Sequence, residues 1–417
     1  MTQSAFAILM VIVLGWAVIS DRLARWNITG PVVFTVSGFL LANPEWGPIS
    51  VNIETQSVHL LAELTLAMVL FSDASRVNVS DLRHDISVPV RLLAIGLPLT
   101  VLLGTLAAAV LFVDLSWALA GFVGASLAAT DAALSAQTIG DERIPTRVRR
   151  ALNVESGLND GIVTPIVVFA LAVAATQLSV NGGHEAGAGP LVELGIGVLV
   201  GLAIGWGGAR LITLGWQRNW VSFGGRRVAA LAAALGSFAL ALTFGGNGFI
   251  AAFVAGIAFG ACMRLDDSAL REVGELPELL GQVLAFGVWF LFGASLVPAA
   301  LEFMSVSTIL YAVTSLTVIR MVPVALALPR TGLDTSTALF MGWFGPRGLA
   351  SVVFALLAIE ELGNSEPVGR AVSAVACTVL LSVVLHGVSA GPLGRRYALR
   401  HNNNNLRSDR RAMDAGD

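Results

Sequence analysis

Long apolar stretches recur along this chain and constrain its fold more than any other feature. Residues 88–112 and 189–204 each hold one charged residue, and each is long enough to cross, or nearly cross, the ~30 Å hydrocarbon core of a bilayer. Because such stretches recur, a single membrane anchor or a cleaved signal peptide is excluded. The composition agrees, since 55% of the residues are hydrophobic and 13% are charged, whereas a soluble domain has about 25% charged residues. The sequence therefore predicts an all-α polytopic membrane protein.

The polar breaks between the apolar runs predict about thirteen transmembrane helices. The predicted spans are 5–19, 28–42, 58–71, 88–112, 117–139, 152–175, 190–214, 228–244, 249–263, 279–297, 308–328, 337–359 and 371–391. Together they form a transmembrane domain over 1–400. The polar, low-complexity residues 401–417 are expected to form a disordered cytoplasmic tail.

The arginines test this set of spans independently. All 25 basic residues are arginines, and they fall in alternate loops. Arg22 and Arg25 follow the first predicted helix, and 143–150 follow the fifth, whereas the loops after the second, fourth and sixth helices hold no arginine. The positive-inside rule then places the N-terminus outside and the C-terminus in the cytoplasm of the inner (plasma) membrane.

Three local similarities recur at nearly one spacing and predict an internal repeat. They pair Gly30 with Gly248 (248 − 30 = 218), Phe71 with Phe292 (292 − 71 = 221) and Asp131 with Arg347 (347 − 131 = 216). This spacing pairs each helix with the one seven helices later in the chain. Because successive helices cross the membrane in opposite directions, an odd shift places the second copy upside down relative to the first. The prediction is an inverted-topology repeat of 5–175 and 228–391, linked by the helix 190–214.

Polar residues also interrupt two of the predicted helices. Helix 5 contains Thr130-Asp131, and helix 12 contains Gly345-Pro346 at the corresponding place. Transporters built from inverted repeats bind their substrates near the bilayer midplane, where paired helices are discontinuous. Helices 5 and 12 are therefore predicted to be broken and to cross each other.

Ionisable groups inside membrane helices are functional candidates, because each costs at least ~2.5–3.5 kcal/mol at the helix centre. Seven lie away from obvious span ends: Glu63, Asp73, Asp131, Glu155, Asp160, Arg320 and Arg347. Some of them have a structural alternative. Glu155 and Arg347 are a plausible buried ion pair, and Arg320 is either a structural cation or a functional one. Glu63 and Asp73 are each either a residue near a helix boundary or part of an ion funnel.

Helix 6 offers the most promising set of oxygen ligands. Ser156 and Asp160 share one face at helical spacing, with Asn159 adjacent. Thr130 and Asp131 of the broken helix 5 could add a hydroxyl, a carboxylate and freed backbone carbonyls. Hard monovalent cations prefer such oxygen ligands with at least one negative charge. A carboxylate that holds either a proton or a cation, but not both, is sufficient for antiport.

Four motifs carry a resemblance to a known family. They are 129–131 (Ala-Thr-Asp), 155–160 (Glu-Ser-Gly-Leu-Asn-Asp), 344–348 (Phe-Gly-Pro-Arg-Gly) and 384–387 (Val-Leu-His-Gly). With them the chain resembles, over about residues 5–395, bacterial sodium–proton antiporters of the NhaP type. These belong to the monovalent cation:proton antiporters and are related to the animal sodium–proton exchangers. The family often has proline after the helix 5 aspartate, where this chain has Ala132.

The resemblance implies roles for individual residues. Asp160 would bind cation and proton in turn. Ser156, Thr130 (chiefly through its backbone) and Asp73 would complete the site for Na⁺ or K⁺. Asn159 would hold Asp131 or the crossing helices in place.

The resemblance also implies properties of the whole transporter. Glu155 and Arg347 would be the structural ion pair of the family. An Asn-Asp pair, rather than Asp-Asp, marks the electroneutral branch and implies one cation for one proton. A homodimer and an elevator-like movement of helices 5, 6 and 12 are expected as well.

The expected function is exchange of Na⁺ or K⁺, with Li⁺ as a further candidate, for H⁺ in pH and cation homeostasis. No cofactor is expected, and the sequence does not separate the cations. A cation channel or uniporter using the same carboxylates is one alternative. An intramembrane aspartyl protease using Asp131 and Asp160 as a dyad is another, although the glycine-x-glycine-aspartate motif expected of such a protease is absent around Asp160.

Overall fold

The computed structural model describes residues 3–51, 55–77, 86–131, 133–134, 140–178, 189–263 and 267–414, and for 267–271 and 401–414 the backbone alone. All regular structure in these residues is helical. The helices are α1 (Gln3–Ala24), α2 (Gly30–Leu41), α3 (Gln56–Ser75), α4 (Ser87–Leu111), α5 (Trp117–Ser126), α6 (Thr146–Gln177), α7 (Gly189–Gln217), α8 (Phe223–Thr243), α9 (Gly248–Cys262), α10 (Asp267–Leu291, continued by a π turn at Phe292–Leu296 and by Val297–Glu302), α11 (Val306–Ala327), α12a (Thr335–Trp343), α12b (Leu349–Leu362) and α13 (Glu366–Asp414).

Within the described residues, nine helices are long and apolar enough to cross a membrane. Three shorter apolar helices, α2, α5 and α9, have 10–17 residues. Burial separates peripheral from central helices, because 11% of the most apolar window of α1 is buried, compared with 72% for α10. The chain is thus an all-helical, multi-pass membrane protein, and the number of thirteen spans stays a prediction.

Several helices begin at side chains that cap them. Ser116 Oγ accepts a hydrogen bond from Leu119 N (3.3 Å) at the start of α5, and Asn247 Oδ1 accepts one from Ile250 N (3.0 Å) at the start of α9. Capping satisfies backbone N–H groups that the first turn of a helix leaves unpaired. Such caps fix the helix starts more sharply than hydropathy does.

The helix starts repeat along the chain. The spacings are 223 − 3 = 220 for α1 and α8, 248 − 30 = 218 for α2 and α9, 306 − 87 = 219 for α4 and α11, 335 − 117 = 218 for α5 and α12a, and 366 − 146 = 220 for α6 and α13. These values agree with the spacing of the sequence repeat, whereas α3 and α10 begin 267 − 56 = 211 residues apart. The two halves therefore contain corresponding helices in the same order.

Two tight helix crossings show how the halves pack on each other. A Cβ atom on Gly38 of α2 would collide with the carbonyl oxygen of Phe290 in α10, and one on Gly256 of α9 would collide with that of Phe71 in α3. Small residues permit such close approach of membrane helices. The repeat exchanges these contacts, since 38 + 218 = 256 and 290 − 219 = 71. A two-fold relation between the halves produces this reciprocity, and the opposite membrane orientation of the halves stays a prediction.

Both predicted helix breaks are present. α5 ends at Ser126 and residues 127–131 are not helical, while residues 344–348 separate α12a from α12b. The chain leaves the helix before residue 132, so a proline there is not required for the unwinding. Ala132 itself and 135–139, the end of predicted helix 5, lie outside the described residues.

Several helices extend past the predicted spans. α6 begins at Thr146, six residues before the predicted start at 152, and α13 continues to Asp414, past the predicted end at 391. Hydropathy locates only the segment within the hydrocarbon, and a helix can continue into polar sequence because its backbone groups remain paired. The boundary at 400, the disordered tail and the limits of the two repeats stay predictions.

Candidate functional site at the helix crossing

The two broken helices are joined through Asp131. Its backbone N–H donates to the carbonyl oxygen of Pro346 (2.9 Å), and its carboxylate Oδ2 accepts a hydrogen bond from Leu349 N (2.9 Å). Asp131 of one break thus caps the N-terminus of α12b, where a negative charge is stabilised by the helix dipole.

Arg347 makes the reciprocal contact. Its Nη1 donates to the carbonyl oxygens of Ala128 (3.0 Å) and Ala129 (3.1 Å), which the end of α5 leaves without helical partners. A cation is favoured at the C-terminal end of a helix. Arg347 is fully buried, so each broken end is stabilised by the opposite charge from the other break.

Small residues allow the breaks to approach this closely. Any Cβ on Gly348 would collide with the carboxylate of Asp131. Nearby, Ser351 Oγ donates to the carbonyl oxygen of Ser126 (2.6 Å). The glycine that precedes α12b is therefore required by contact with Asp131.

The predicted direct pair of Glu155 with Arg347 is wrong. Glu155 Oε1 accepts from Arg320 Nη1 at 2.6 Å, and the side chains of both are at most 2% exposed. Arg347 donates to the carbonyls of Ala128 and Ala129 instead. Arg320 of α11 reaches Glu155 by passing Gly345, where an added Cβ would lie 2.5 Å from Arg320 Nε. Arg320, for which the sequence left both roles open, is the partner of the buried glutamate.

Thr130, Ser156 and Asn159 form one buried group. Thr130 Oγ1 and Ser156 Oγ are 3.0 Å apart, and Asn159 Nδ2 donates to Thr130 Oγ1 (2.6 Å). Asn159 therefore contacts the non-helical segment of α5 through Thr130. Asn159 thus links α6 to the break after α5, whereas the described hydrogen bonds of Asp131 to another helix go to the α12 break. The role of Asn159 in transport stays a prediction.

Asp160 lies one turn beyond Ser156 on α6. Its side chain is 8% exposed, and its Oδ1 has no hydrogen-bond partner in the described part of the chain. The same holds for Asn159 Oδ1. Buried oxygens normally have partners, so these are candidate ligands for a cation or, at Asp160, for a proton.

Asp73 of α3 approaches the same part of α6. A Cβ on Gly157 would lie 3.6 Å from the Asp73 carbonyl oxygen and 3.7 Å from its Cβ. Asp73 and Asp131 are the carboxylates whose charges act on Asp160, and Arg347 is the cation that does so. Asp73 is thus close enough to influence whatever Asp160 binds.

Glu63 does not join this group. It precedes Asp73 by ten residues of α3, about 15 Å along a helix. Its charged neighbour is Glu360, near the end of α12b, and Glu360 Oε2 lies 2.9 Å from Nδ1 of the buried His59. The structure therefore separates Glu63 from the crossing.

The sequence analysis assigned no role to two residues at the site, although one of them, His386, belongs to the 384–387 motif. Ser382 Oγ of α13 accepts from Arg347 N (2.7 Å), and His386 Nε2 lies 2.9 Å from the carbonyl oxygen of Trp343. His386 Nδ1 is 3.1 Å from Ser382 Oγ. These two residues hold both ends of the α12 break. Their spacing of four residues within an apolar helix was the available signal.

The site combines two buried helix breaks, each stabilised by an opposite charge, with an unpaired carboxylate. This combination is typical of secondary transporters with discontinuous helices. The model of the family described as sodium/hydrogen exchanger, transmembrane, matches residues 8–396. This chain therefore belongs to the sodium/hydrogen exchanger family, whose members are transporters.

Similar proteins include two bacterial antiporters. The K(+)/H(+) antiporter NhaP of Alkalimonas amylolytica is 25% identical over 366 residues, which cover 87% of this chain and 62% of that protein. The K(+)/H(+) antiporter NhaP2 of Shewanella oneidensis is 26% identical over 345 residues, covering 81% and 58%. The chain thus spans 62% and 58% of the length of these relatives. They confirm the resemblance to NhaP proteins.

Solved structures agree with the fold. The sodium proton antiporter MjNhaP1 from Methanocaldococcus jannaschii at pH 8 superposes with a TM-score of 0.78 at 20% identity, covering 95% of this chain and 99% of that one. The three-dimensional electron-microscopy map of MjNhaP1 gives a TM-score of 0.69 at 19% identity. At these identities the comparison establishes the antiporter fold.

Proposed function

We propose that this chain exchanges a monovalent cation for H⁺ across the membrane, in the service of pH and cation homeostasis. The cargo is Na⁺ or K⁺, with Li⁺ as a further candidate. Family membership supports exchange, and the relatives named K(+)/H(+) and Na(+)/H(+) antiporters support these cations.

The observation that carries the proposal is the unpaired Oδ1 of buried Asp160. Together with the hydroxyl oxygens of Ser156 and Thr130, it offers a hard cation an oxygen-rich site with a negative charge. Asp73 adds a second carboxylate nearby. When the cation leaves, a proton neutralises Asp160 at lower cost than a bare buried charge. Cation and proton therefore compete for one carboxylate.

We also propose electroneutral 1:1 exchange. Asp131 is bound to the backbone of α12b, and Asn159 carries no charge. Of the two remaining carboxylates, Asp160 is the one proposed to alternate between cation and proton, and Asp73 contributes to the site without exchanging a proton. Transport at a fixed pH gradient should not change when the membrane potential is clamped at different values.

The remaining proposals concern orientation and assembly. The alternating arginine loops support an N-terminus outside and a C-terminus in the cytoplasm of the inner membrane. Homodimer formation and elevator-like movement of α5, α6 and α12 follow from membership of the family. The protease alternative has little support, because both carboxylate oxygens of Asp131 accept backbone hydrogen bonds, from Ala133 and Leu349.

The testing experiment uses acid-interior, inside-out vesicles from cells that lack their own antiporters. Addition of Na⁺ or K⁺ should release protons with the wild-type protein and not with Asp160→Asn. Asp114→Asn, which changes an exposed carboxylate paired with Arg370, is the matched control and should retain release. Unchanged release by Asp160→Asn would move the site elsewhere, and cation uptake without proton release would favour a channel or uniporter.

A further inference from the structure

Four arginines stack on aromatic rings where α7 ends and α8 begins. The distances from Cζ to the ring centroid are 5.6 Å for Arg210 on Trp206, 4.8 Å for Arg218 on Trp220, 3.7 Å for Arg226 on Trp216 and 4.3 Å for Arg227 on Phe223. These eight residues are called the arginine–aromatic collar below. Arg226 also lies 5.3 Å from the Phe223 centroid. Outside the collar, the described residues show one cation–π contact, Arg22 with Trp26.

The collar lies at a membrane surface. α7 and α8 are both apolar helices of spanning length, and residues 218–222 connect them, so this connection must lie at a bilayer boundary. Arg210 lies seven residues before the last residue of α7. It is therefore about 10 Å deeper in the bilayer than the connection, measured along the helix. An arginine there can extend its side chain toward the headgroups.

Some surface arginines elsewhere pair with carboxylates. Arg143 pairs with Asp141, and Arg370 pairs with Asp114 and Glu366. In the collar, Glu275, which contacts Arg227, is the one carboxylate partner among the side chains that the structure describes. The collar therefore carries a positive excess.

Stacking also leaves hydrogen-bond donors unused. A guanidinium on a ring face keeps its in-plane N–H groups directed away from the ring, and these match the oxygens of a phosphate. Arg226 is 4% exposed, and its Nε and Nη1 have no hydrogen-bond partner in the described part of the chain. Aromatic rings thus surround its charge, and none of the carboxylates whose side chains the structure describes pairs with it.

We propose that the collar binds the phosphate of an anionic glycerophospholipid. A cationic group at a bilayer boundary attracts anionic headgroups. The same segment exposes apolar side chains that acyl chains can cover, among them Leu211 (70% exposed) and Val228 (57%). A lipid can bind the guanidinium groups through its phosphate and cover this apolar surface with its acyl chains. Free phosphate can bind only the guanidinium groups.

The test measures lipid binding to the purified full-length protein by native mass spectrometry. Phosphatidylglycerol should bind more tightly than phosphatidylcholine. Arg210→Gln with Arg218→Gln, both at exposed positions, should weaken phosphatidylglycerol binding about 30-fold, at about fivefold per arginine near the surface. The matched control, Arg22→Gln with Arg143→Gln, removes the same charge outside the collar and should leave binding unchanged.

The proposal would be overturned by unchanged phosphatidylglycerol binding in the double collar variant. Equal binding of phosphatidylcholine, or loss of binding in the control variant, would also overturn it. Displacement of the lipid by millimolar inorganic phosphate would assign the collar to small anions instead. Thermal unfolding of each variant without added lipid verifies that it is folded. The result is independent of transport, so it does not depend on the proposed exchange.

Discussion

Asp131 and Arg347 each bond to the backbone of the opposite broken helix. Their charges are therefore used to stabilise helix ends. Glu155 also has an unpaired oxygen, Oε2, but it is ion-paired with Arg320. Asp160 is therefore the buried carboxylate at the crossing that combines an unpaired oxygen with no ion pair among the described residues. The spacing of Ser156 and Asp160 predicted this site from sequence, and the binding of cation and proton by Asp160 stays a proposal.

The sequence could not assign the partner of Glu155. Two arginines, Arg320 and Arg347, were available in the helices of the second half, and the choice depends on the rotation of α11 and on the conformation of 344–348. Neither quantity is encoded in hydropathy. The assignment required the hydrogen bonds of the folded chain.

Removing Arg320 should be strongly destabilising. Arg320→Met leaves Glu155 buried and unpaired, at about 3–5 kcal/mol, and the double variant Glu155→Gln with Arg320→Met should recover much of this loss. Denaturant or thermal unfolding of the purified protein measures both. Strong coupling of Glu155 to Arg347, and none to Arg320, would contradict the pairing.

Gly348 should not tolerate a side chain. In Gly348→Ala the new methyl group displaces the Asp131 carboxylate from its cap, with a stability loss of about 1 kcal/mol and reduced transport. Gly236→Ala in α8 is the matched control, because a Cβ there meets nothing within 4 Å. Equal transport by the two variants would argue against a role for the cap.

Among the helices, the sequence predicted the breaks in helices 5 and 12, but it did not predict which side chains of other helices bond to the broken ends. Gly345-Pro346 indicates a break in α12, because proline cannot donate a backbone hydrogen bond and glycine permits close contact. The support comes from α13, through Ser382 and His386. A hydroxyl or imidazole in an apolar helix does not reveal which neighbour it contacts.

Ser382→Ala tests this support. The change leaves the buried N–H of Arg347 without its acceptor and should lower apparent cation affinity about fivefold, for a loss of about 1 kcal/mol. The measurement is the cation dependence of proton release in vesicles.

Ser373→Ala is the control for Ser382→Ala. It removes another buried hydroxyl of α13, which bonds to the carbonyl of Ala300 and lies nine residues before Ser382, about 13 Å along the helix. A similar loss of affinity in both variants would indicate a general effect on α13 packing.

For the whole molecule, the membrane class followed from sequence because the length of apolar segments does not depend on side-chain detail. The spacing of the sequence repeat agrees with the starts of most corresponding helices, and the inverted repeat itself stays a prediction. The reciprocal contacts at Gly38 and Gly256 could not be predicted, since they depend on how the halves pack. The arginine–aromatic collar also required the structure, because sequence shows arginines in loops but not their stacking on rings.

Asp160 is proposed to hold either a proton or a cation, but not both. Proton release by purified protein in weakly buffered detergent solution tests this, when NaCl or KCl is added at constant ionic strength against choline chloride. We expect about one proton released per cation bound, and none from Asp160→Asn. Cation binding by the wild-type protein without proton release, or undiminished release by Asp160→Asn, would contradict it.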